Sequence, residues 1–303
     1  MKNADAFLLA LQRRAKLFAP SAVATFQANR ELCSWLLDPL ARWAHAAYGE
    51  RVFDEAVLGY AKYCLGVGQA QRIYERAGKY TPEEMPEILS SVYDDPGYMI
   101  PYMWAAILIY AFWPSMVGHI ALFRDEFLRR LPPDGTVLEL ASGHGVLSLL
   151  AAEERPDLRI TGLDISAPAI AVADRLLAAS GHADRVAFVV GDAIHGEAVA
   201  DRQYDGIISA MLAEHLPTPK SLFAALARQV SHEGLVFFST ALESPQRDHV
   251  FEFHRESEPL LMAEEQGLRV SRLISDASGA SYRLKFLPHA MAMILRLREH
   301  TAP

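Results

Sequence analysis

The sequence predicts an α/β protein in two parts, an all-helical region over residues 1–130 and a sheet-based region over residues 131–303. Apolar residues recur at helical spacing through the first part. After Leu131-Pro132-Pro133-Asp134-Gly135, short apolar runs alternate with helical segments, the pattern of a mostly parallel sheet covered on both faces. A chain of 303 residues with 51% hydrophobic content has enough apolar surface for one large or two medium cores.

In the first part, Phe7, Leu8, Leu11, Ala15 and Phe18 share a helical face, and Pro20-Ser21 then breaks the pattern. Glu31 to Tyr48 reads as a second helical stretch, which Asp38-Pro39 should bend or divide because proline lacks the backbone donor. Glu55 to Gly78 is a third, closed by a glycine C-cap. Thr81-Pro82-Glu83-Glu84 has the form of a helix start, with a threonine cap, proline at the first position and acids in the first turn. Asp94-Asp95-Pro96-Gly97 signals a turn. Met99 to Phe123 then runs without Asp, Glu, Lys or Arg. That length raises the question of a membrane span. Pro101, Pro114, Ser115, Gly118 and His119 interrupt it, so helices buried on most sides, walling a pocket or a subunit interface, are expected instead.

In the second part, the strand-like runs are Thr136–Leu140, Arg159–Leu163, Val186–Val190, Tyr204–Ser209 and Leu235–Ser239. Helical segments fall near Val146–Glu154, Pro168–Ser180 and Ser221–Val230, long enough for right-handed crossovers. Leu268–Ser275, Tyr282–Leu287 and Met291–Arg298 read as further strands. The net charge of −8 argues against a nucleic-acid surface. Cys33 and Cys64, the only cysteines, lack metal-ligand spacing and are expected as free thiols. Met1-Lys2-Asn3-Ala4-Asp5 has no leader pattern, which sets a cytoplasmic expectation.

Function is written at three strand ends. Glu139 closes the first strand and is followed by Leu140-Ala141-Ser142-Gly143-His144-Gly145. Asp164 follows the second strand, and Asp192 the third in Gly191-Asp192-Ala193. Ligands of an open parallel sheet bind beyond the C-terminal strand ends, where a carboxylate can take both ribose hydroxyls and another can accept from an adenine amino group. Each acid alone is explained by helix capping; the ordered set is not.

With those motifs and Tyr204-Asp205-Gly206-Ile207-Ile208-Ser209, the chain resembles the class I S-adenosylmethionine-dependent methyltransferases from Val137 to about Ser239. The resemblance implies a Rossmann-like, seven-stranded sheet preceded by a helical cap. It gives the methionine part of the cofactor to Glu139 and the backbone of Ala141, Ser142, Gly143 and Gly145. It gives ribose to Asp164 with Ile165 and adenine to Asp192 with Ala193, and it sets Met211 beside the methyl group. Ala141 departs from the family's glycine, and alanine is tolerable there if its φ is negative. The nearest rival, a nicotinamide dehydrogenase, wants a third glycine where Gly143-His144-Gly145-Val146-Leu147-Ser148 supplies serine, and it has no special use for Glu139.

The segment Ser209-Ala210-Met211-Leu212-Ala213-Glu214-His215-Leu216-Pro217 lacks the Asn/Asp-Pro-Pro-aromatic signature of enzymes that methylate bases in nucleic acids. Glu214 and His215 are the first candidates for a base or charge stabiliser, against the plainer reading of a solvated acid and a packing imidazole. His249 and the neighbouring Asp248, Glu252 and His254 form a second cluster, and His119 a third candidate, more simply a core histidine. His249 and His254 lack the i, i+4 spacing of a helical metal pair, so no metal is expected. The aromatic stock of the helical region, Tyr98, Tyr102, Met103, Tyr110 and Trp113 among it, suits enclosure of a flat or apolar acceptor, although any one of these residues is explained by core packing. The expectation is methyl transfer to a small, aromatic or apolar metabolite in specialised biosynthesis, by a protein that dimerises through its helices. The alternatives are a non-methylating reaction on the same cofactor, a nicotinamide oxidoreductase and a silent binding partner.

Overall fold

The structure, a computed structural model, describes residues 3–194, 202–276, 285–286 and 288–298. Every regular element before Leu131 is helical: α1 (Asp5–Arg14), α2 (Ala19–Ala28), α3 (Arg30–Tyr48), α4 (Val52–Ala77), α5 (Met85–Ile88), α6 (Pro96–Phe112) and α7 (Pro114–Ala121). Pro20 opens α2 instead of closing α1, because a helix start has no need of the missing donor. Pro39 likewise leaves α3 undivided. Thr81–Glu84 forms no helix, and the short α5 begins after it with Pro86 in its first turn. Gly78 caps α4 at φ 74°, as its position in the sequence predicts.

The uncharged segment becomes α6 and α7, which are set apart by Pro114. Among the described residues no single helix is long and apolar enough to cross a membrane, and the pair that includes these two is bent by 86°. Asp95 accepts from the Gly97 amide and Pro96 fills the first turn, so the turn signal is also the cap of α6. Two stretches of π-helix, Leu89–Tyr93 and Leu122–Phe127, extend α5 and α7.

The sheet comprises β1 (Thr136–Leu140), β2 (Arg159–Asp164), β3 (Val186–Val190), β4 (Tyr204–Ala210), β5 (Val230–Leu242), β6 (Leu268–Asp276) and β7 (His289–Leu297), in the order β3-β2-β1-β4-β5-β7-β6. β1 to β5 are parallel, and β7 inserts antiparallel between β5 and β6. α8 (Val146–Glu154), α9 (Ala167–Ser180), α10 (Pro219–Gln229) and α11 (Ser257–Glu265) complete the chain. The sequence pattern did not predict α11. Apart from Lys285 and Phe286, which lie in a bend, the expected strand Tyr282–Leu287 falls outside the described residues.

Side chains alternate across the pleat and so build two cores. Val137, Ile208, Phe237 and Ile294 face the N-terminal helices with α8 and α9. Leu138, Ile207, Phe238 and Met293 face α10 and the chain near Phe253. Phe123 and Phe127 of the π-helical stretch pack on Phe237 with ring centroids 5.3 and 6.3 Å away, which binds the helical region to the sheet. The strand order reverses between β1 and β4, the switch point at which a parallel sheet opens a crevice.

Gly145 tests the packing beneath that crevice. Its φ is +69°, and an added Cβ would sit 2.3 Å from the Phe188 ring. Gly181 has φ +81° and open space around it. Gly145→Ala should therefore cost about 3 kcal/mol or more, and Gly181→Ala only about 1 kcal/mol. Urea denaturation compares the two; equal losses would mean that Phe188 is not held against the loop.

Candidate active site

The C-terminal ends of β1, β2 and β4 and the helical region enclose a cavity of about 500 Å³. Glu139 lies at its base and is almost fully buried. Its Oε2 accepts from both the amide (3.1 Å) and the hydroxyl of Ser148. Burial pushes the Glu139 carboxyl up to about 8, opposed by those two donors. The serine that breaks the dinucleotide fingerprint is thus the clamp on this carboxylate, a role the sequence pattern left unassigned.

Asp164 binds the loop after β1 to the start of α9. Its Oδ2 accepts from the Gly143 amide (2.7 Å) and its Oδ1 from the Ser166 amide (2.8 Å). Burial raises its pKa, and the two amides work against that rise. A Cβ on Gly143 would stand 3.1 Å from Met103 Sδ, so glycine allows α6 to close over the loop. Ala141 has φ +56°, so the negative φ under which alanine would replace the family's glycine without strain is not met. Hydrogen bonding of the next amide, Ser142 N to Leu163 O (2.9 Å), holds the backbone there. Ser142 Oγ is buried at the cavity with no hydrogen-bond partner among the described residues. Burial pushes the adjoining His144 down to about 4, and its Nδ1 accepts from the Val146 amide.

Ile165, Asp192, Ala193 and Met211 also line the cavity, with Asp192 Oδ1 accepting from the Ile194 amide (2.6 Å). Gly145 does not; it faces Phe188 behind the loop. Met211, at φ +54°, turns the chain into the 3₁₀ turn Ala213–His215. Glu214 is buried there and accepts from Thr240 Oγ1 (2.7 Å) and the Ala241 amide (3.3 Å). Burial raises its pKa, and His215 beside it opposes the rise. The Glu214 carbonyl takes the amides of Val250 and Phe251, docking the loop after β5 onto this turn.

That docking brings His249 to His215, with ring centroids 4.7 Å apart. Nδ1 of His215 lies 3.0 Å from the Asp248 carbonyl oxygen, 3.3 Å from Asp248 Oδ2 and 3.1 Å from the Tyr93 hydroxyl. Nδ1 of His249 donates to the Ser244 carbonyl (2.6 Å), and burial holds this imidazole well below its usual pKa. One ligand-capable atom each from Glu214, His215 and His249 falls within a 4.8 Å span.

The helical side of the cavity carries Tyr102, Met103 and Tyr110, as expected, and also Tyr63 and Tyr93. Tyr93 precedes the aromatic stock that the sequence singled out, and Asp94-Asp95-Pro96 right after it was the available signal. Besides Gly145, four more expected residues do not reach the cavity. Trp113 donates to the Tyr60 hydroxyl (3.1 Å), and Tyr98 packs between Tyr102 and Arg247. His254 is half exposed near Glu243 and Glu252, because the chain leaves the sheet there. His119 is fully buried on α7, which packs against β6 and β7.

Comparison with known proteins places this architecture. The methyltransferase-domain family model matches residues 114–270. A ubiquinone biosynthesis O-methyltransferase of Nitrosomonas europaea is 33% identical over 121 residues, covering 40% of this chain and 49% of that protein. A release factor glutamine methyltransferase of Neisseria gonorrhoeae is 38% identical over 85 residues, covering 28% and 30%. The chain thus spans half or less of the length of these curated relatives. Among solved structures, a putative sarcosine dimethylglycine methyltransferase from Galdieria sulphuraria shares the fold at TM-score 0.51 and 14% identity, over 62% of this chain and 86% of that one. The [4+2]-cyclase SpnF does so at TM-score 0.50 and 14% identity, over 58% and 78%. By its family match, its strand order and its strand-end acids, the chain belongs to the methyltransferase-domain family and has the class I S-adenosylmethionine-dependent fold.

Proposed function

We propose that the protein transfers a methyl group from S-adenosylmethionine to a small, apolar or planar metabolite. One observation carries this reading: Glu139, Asp164, Asp192 and Glu214 face one cavity, and none of its described lining residues is Lys or Arg. Such a site attracts a cationic ligand and repels a pyrophosphate, which disfavours a dinucleotide or nucleic acid. The cofactor supplies a methyl group made electrophilic by a sulfonium. In-line transfer then asks the protein mainly to orient and to exclude water. Glu139 fits the ammonium of the amino-acid part, and the partnerless Ser142 Oγ fits its carboxylate. Asp164 retains lone pairs for the ribose hydroxyls, and Asp192 with Ala193 stands at the adenine end. Tyr102, Met103 and Tyr110 face the acceptor half opposite Glu214, His215 and His249.

Calorimetry with S-adenosylhomocysteine tests the donor half. Asp164→Ala should weaken binding by about 10- to 100-fold, the worth of hydrogen bonds to a charged group. Unchanged affinity, or binding of NADH in place of this ligand, would refute the assignment.

Glu139 gives a second test. Its pKa of about 8 leaves it mostly protonated at pH 7 before the ligand ammonium arrives. Pairing requires the carboxylate, so binding at pH 7 should release a proton. Affinity should then rise with pH between 6 and 8, by up to about tenfold per unit. Calorimetry in two buffers of different ionisation enthalpy measures the release, which Glu139→Gln should abolish. A pH-independent affinity would remove Glu139 from the ligand.

The same reading includes a cytoplasmic homodimer joined through the helices, supported by exposed Leu58, Leu65 and Ile73 within one arc of α4. Sedimentation equilibrium should find a dimer that Leu65→Glu dissociates. A wild-type monomer would overturn it.

A further inference from the structure

We propose that Glu214, His215 and His249 form a binding site for a divalent transition-metal cation at the acceptor end of the cavity. The three side chains line the cavity together and bring one ligand-capable atom each into a 4.8 Å span. Metal bonds of about 2.1 Å set adjacent ligands about 3 Å apart, so binding draws the three groups inward.

The partners of both Nδ1 atoms favour the tautomer that leaves Nε2 for a metal. Nδ1 of His215 faces two oxygens of Asp248 that can only accept, which favours the hydrogen on this nitrogen, and the Tyr93 hydroxyl beside it (3.1 Å) can accept as well. Nδ1 of His249 donates to the Ser244 carbonyl. Nε2 is therefore the lone-pair nitrogen of both rings. Outer partners of this kind, a carbonyl and a buried carboxylate, orient histidines in metal sites. Asp248 is 1% exposed, and neither carboxylate oxygen makes a hydrogen bond of good geometry, although Oδ2 stands 3.3 Å from His215 Nδ1. A cation on His215 gives that buried negative charge a purpose. Glu214 keeps lone pairs beyond those used by Thr240 and Ala241, and a cation offsets the cost of its burial.

The donor set is two imidazoles and one carboxylate. It suits Zn²⁺, Co²⁺, Fe²⁺ or Mn²⁺ better than Mg²⁺ or Ca²⁺, which prefer oxygen. Open coordination positions face the cavity, where a hydroxyl-bearing acceptor would bind through its oxygen. The step rests on the methyl-transfer reading. The bound hydroxyl loses its proton to solvent, its oxygen forms the bond to the methyl carbon, and the carbon–sulfur pair stays on sulfur as S-adenosylhomocysteine leaves. The cation lowers the hydroxyl pKa as it does that of bound water. The sequence could not reveal this site, because His249 comes to Glu214 and His215 only through the docked loop after β5.

Chelator-treated protein titrated with Co²⁺, by calorimetry and by the visible d–d spectrum, tests the site. One Co²⁺ per chain is expected, with Glu214→Gln and His249→Ala each weakening binding at least tenfold. His254→Ala, in the same loop but outside the cavity, should change nothing. S-adenosylhomocysteine binding should persist in all three variants, which separates lost metal from lost fold. Absence of Co²⁺ binding, or equal losses in His254→Ala and His249→Ala, would overturn the proposal. If Co²⁺ binds as expected while S-adenosylhomocysteine does not, the donor reading falls and the metal site stands.

Discussion

Three neighbouring strands, β1, β4 and β5, each hand over to a non-glycine residue of positive φ: Ala141 (56°), Met211 (54°) and Glu243 (46°). Left-handed backbone costs a side-chain-bearing residue about 1 kcal/mol or more, so three in a row need a strong surrounding frame. The frame is hydrogen-bonded. Ser142 N reaches Leu163 O, Met211 N reaches Ser239 O, and Glu243 N reaches Phe253 O. Each turn throws the chain away from the sheet axis and leaves the strand ends uncovered. The rest of the site follows. The turn at Ala141 sets the glycine loop on Asp164, the turn at Met211 swings Glu214 back to Thr240 on β5, and the turn at Glu243 releases the loop that returns His249 to His215.

Burial of acids is the second constraint. Glu139, Asp164, Glu214 and Asp248 are each less than a tenth exposed, and isolated buried carboxylates are costly. The chain offsets part of this with amides and hydroxyls from Gly143, Ser148, Ser166 and Thr240. Raised pKa values at Glu139, Asp164 and Glu214 are what remains uncompensated. A fold optimised for stability alone would have placed arginine or an apolar side chain here. Uncompensated acids around one cavity make sense if the missing positive charge arrives with the ligands.

How much of this was legible in the sequence depended on range. β1, β3 and α8 matched to the residue, because short apolar runs bounded by Gly, Pro and Asp fix their own ends. The strand-end acids were legible for the same reason: position after a strand is a local property. α11 was missed because its mixed, acid-rich sequence has a weak apolar stripe. Thr81-Pro82 has the form of a cap yet opens no helix, with Glu83 beside it held by Arg247 from across the fold. The backbone sign at Ala141, the Ser148 clamp, Tyr93 beside His215, and the meeting of Glu214 with His249 are all contacts between distant segments. No spacing rule reports those.

The same distinction separates donor from acceptor. Tyr93 lies in the π-helical stretch after α5, a geometry common at functional sites. Its carbonyl takes the Ser166 hydroxyl (2.6 Å) on the Asp164 side, while its own hydroxyl meets His215 on the other. Arg247 reaches Glu83, just before α5, through two nitrogens at 3.0 Å and donates to Ser91 of the π-helical stretch (3.0 Å), clamping the loop of Asp248 and His249 to the segment that carries Tyr93. The groups that face an acceptor are therefore positioned by residues 63–110 and by the loop after β5. The family match begins only at residue 114. On the proposed reading the family match takes in the donor end of the cavity together with Glu214, His215 and His249 at its acceptor end, and only the helical wall from Tyr63 to Tyr110 lies before it.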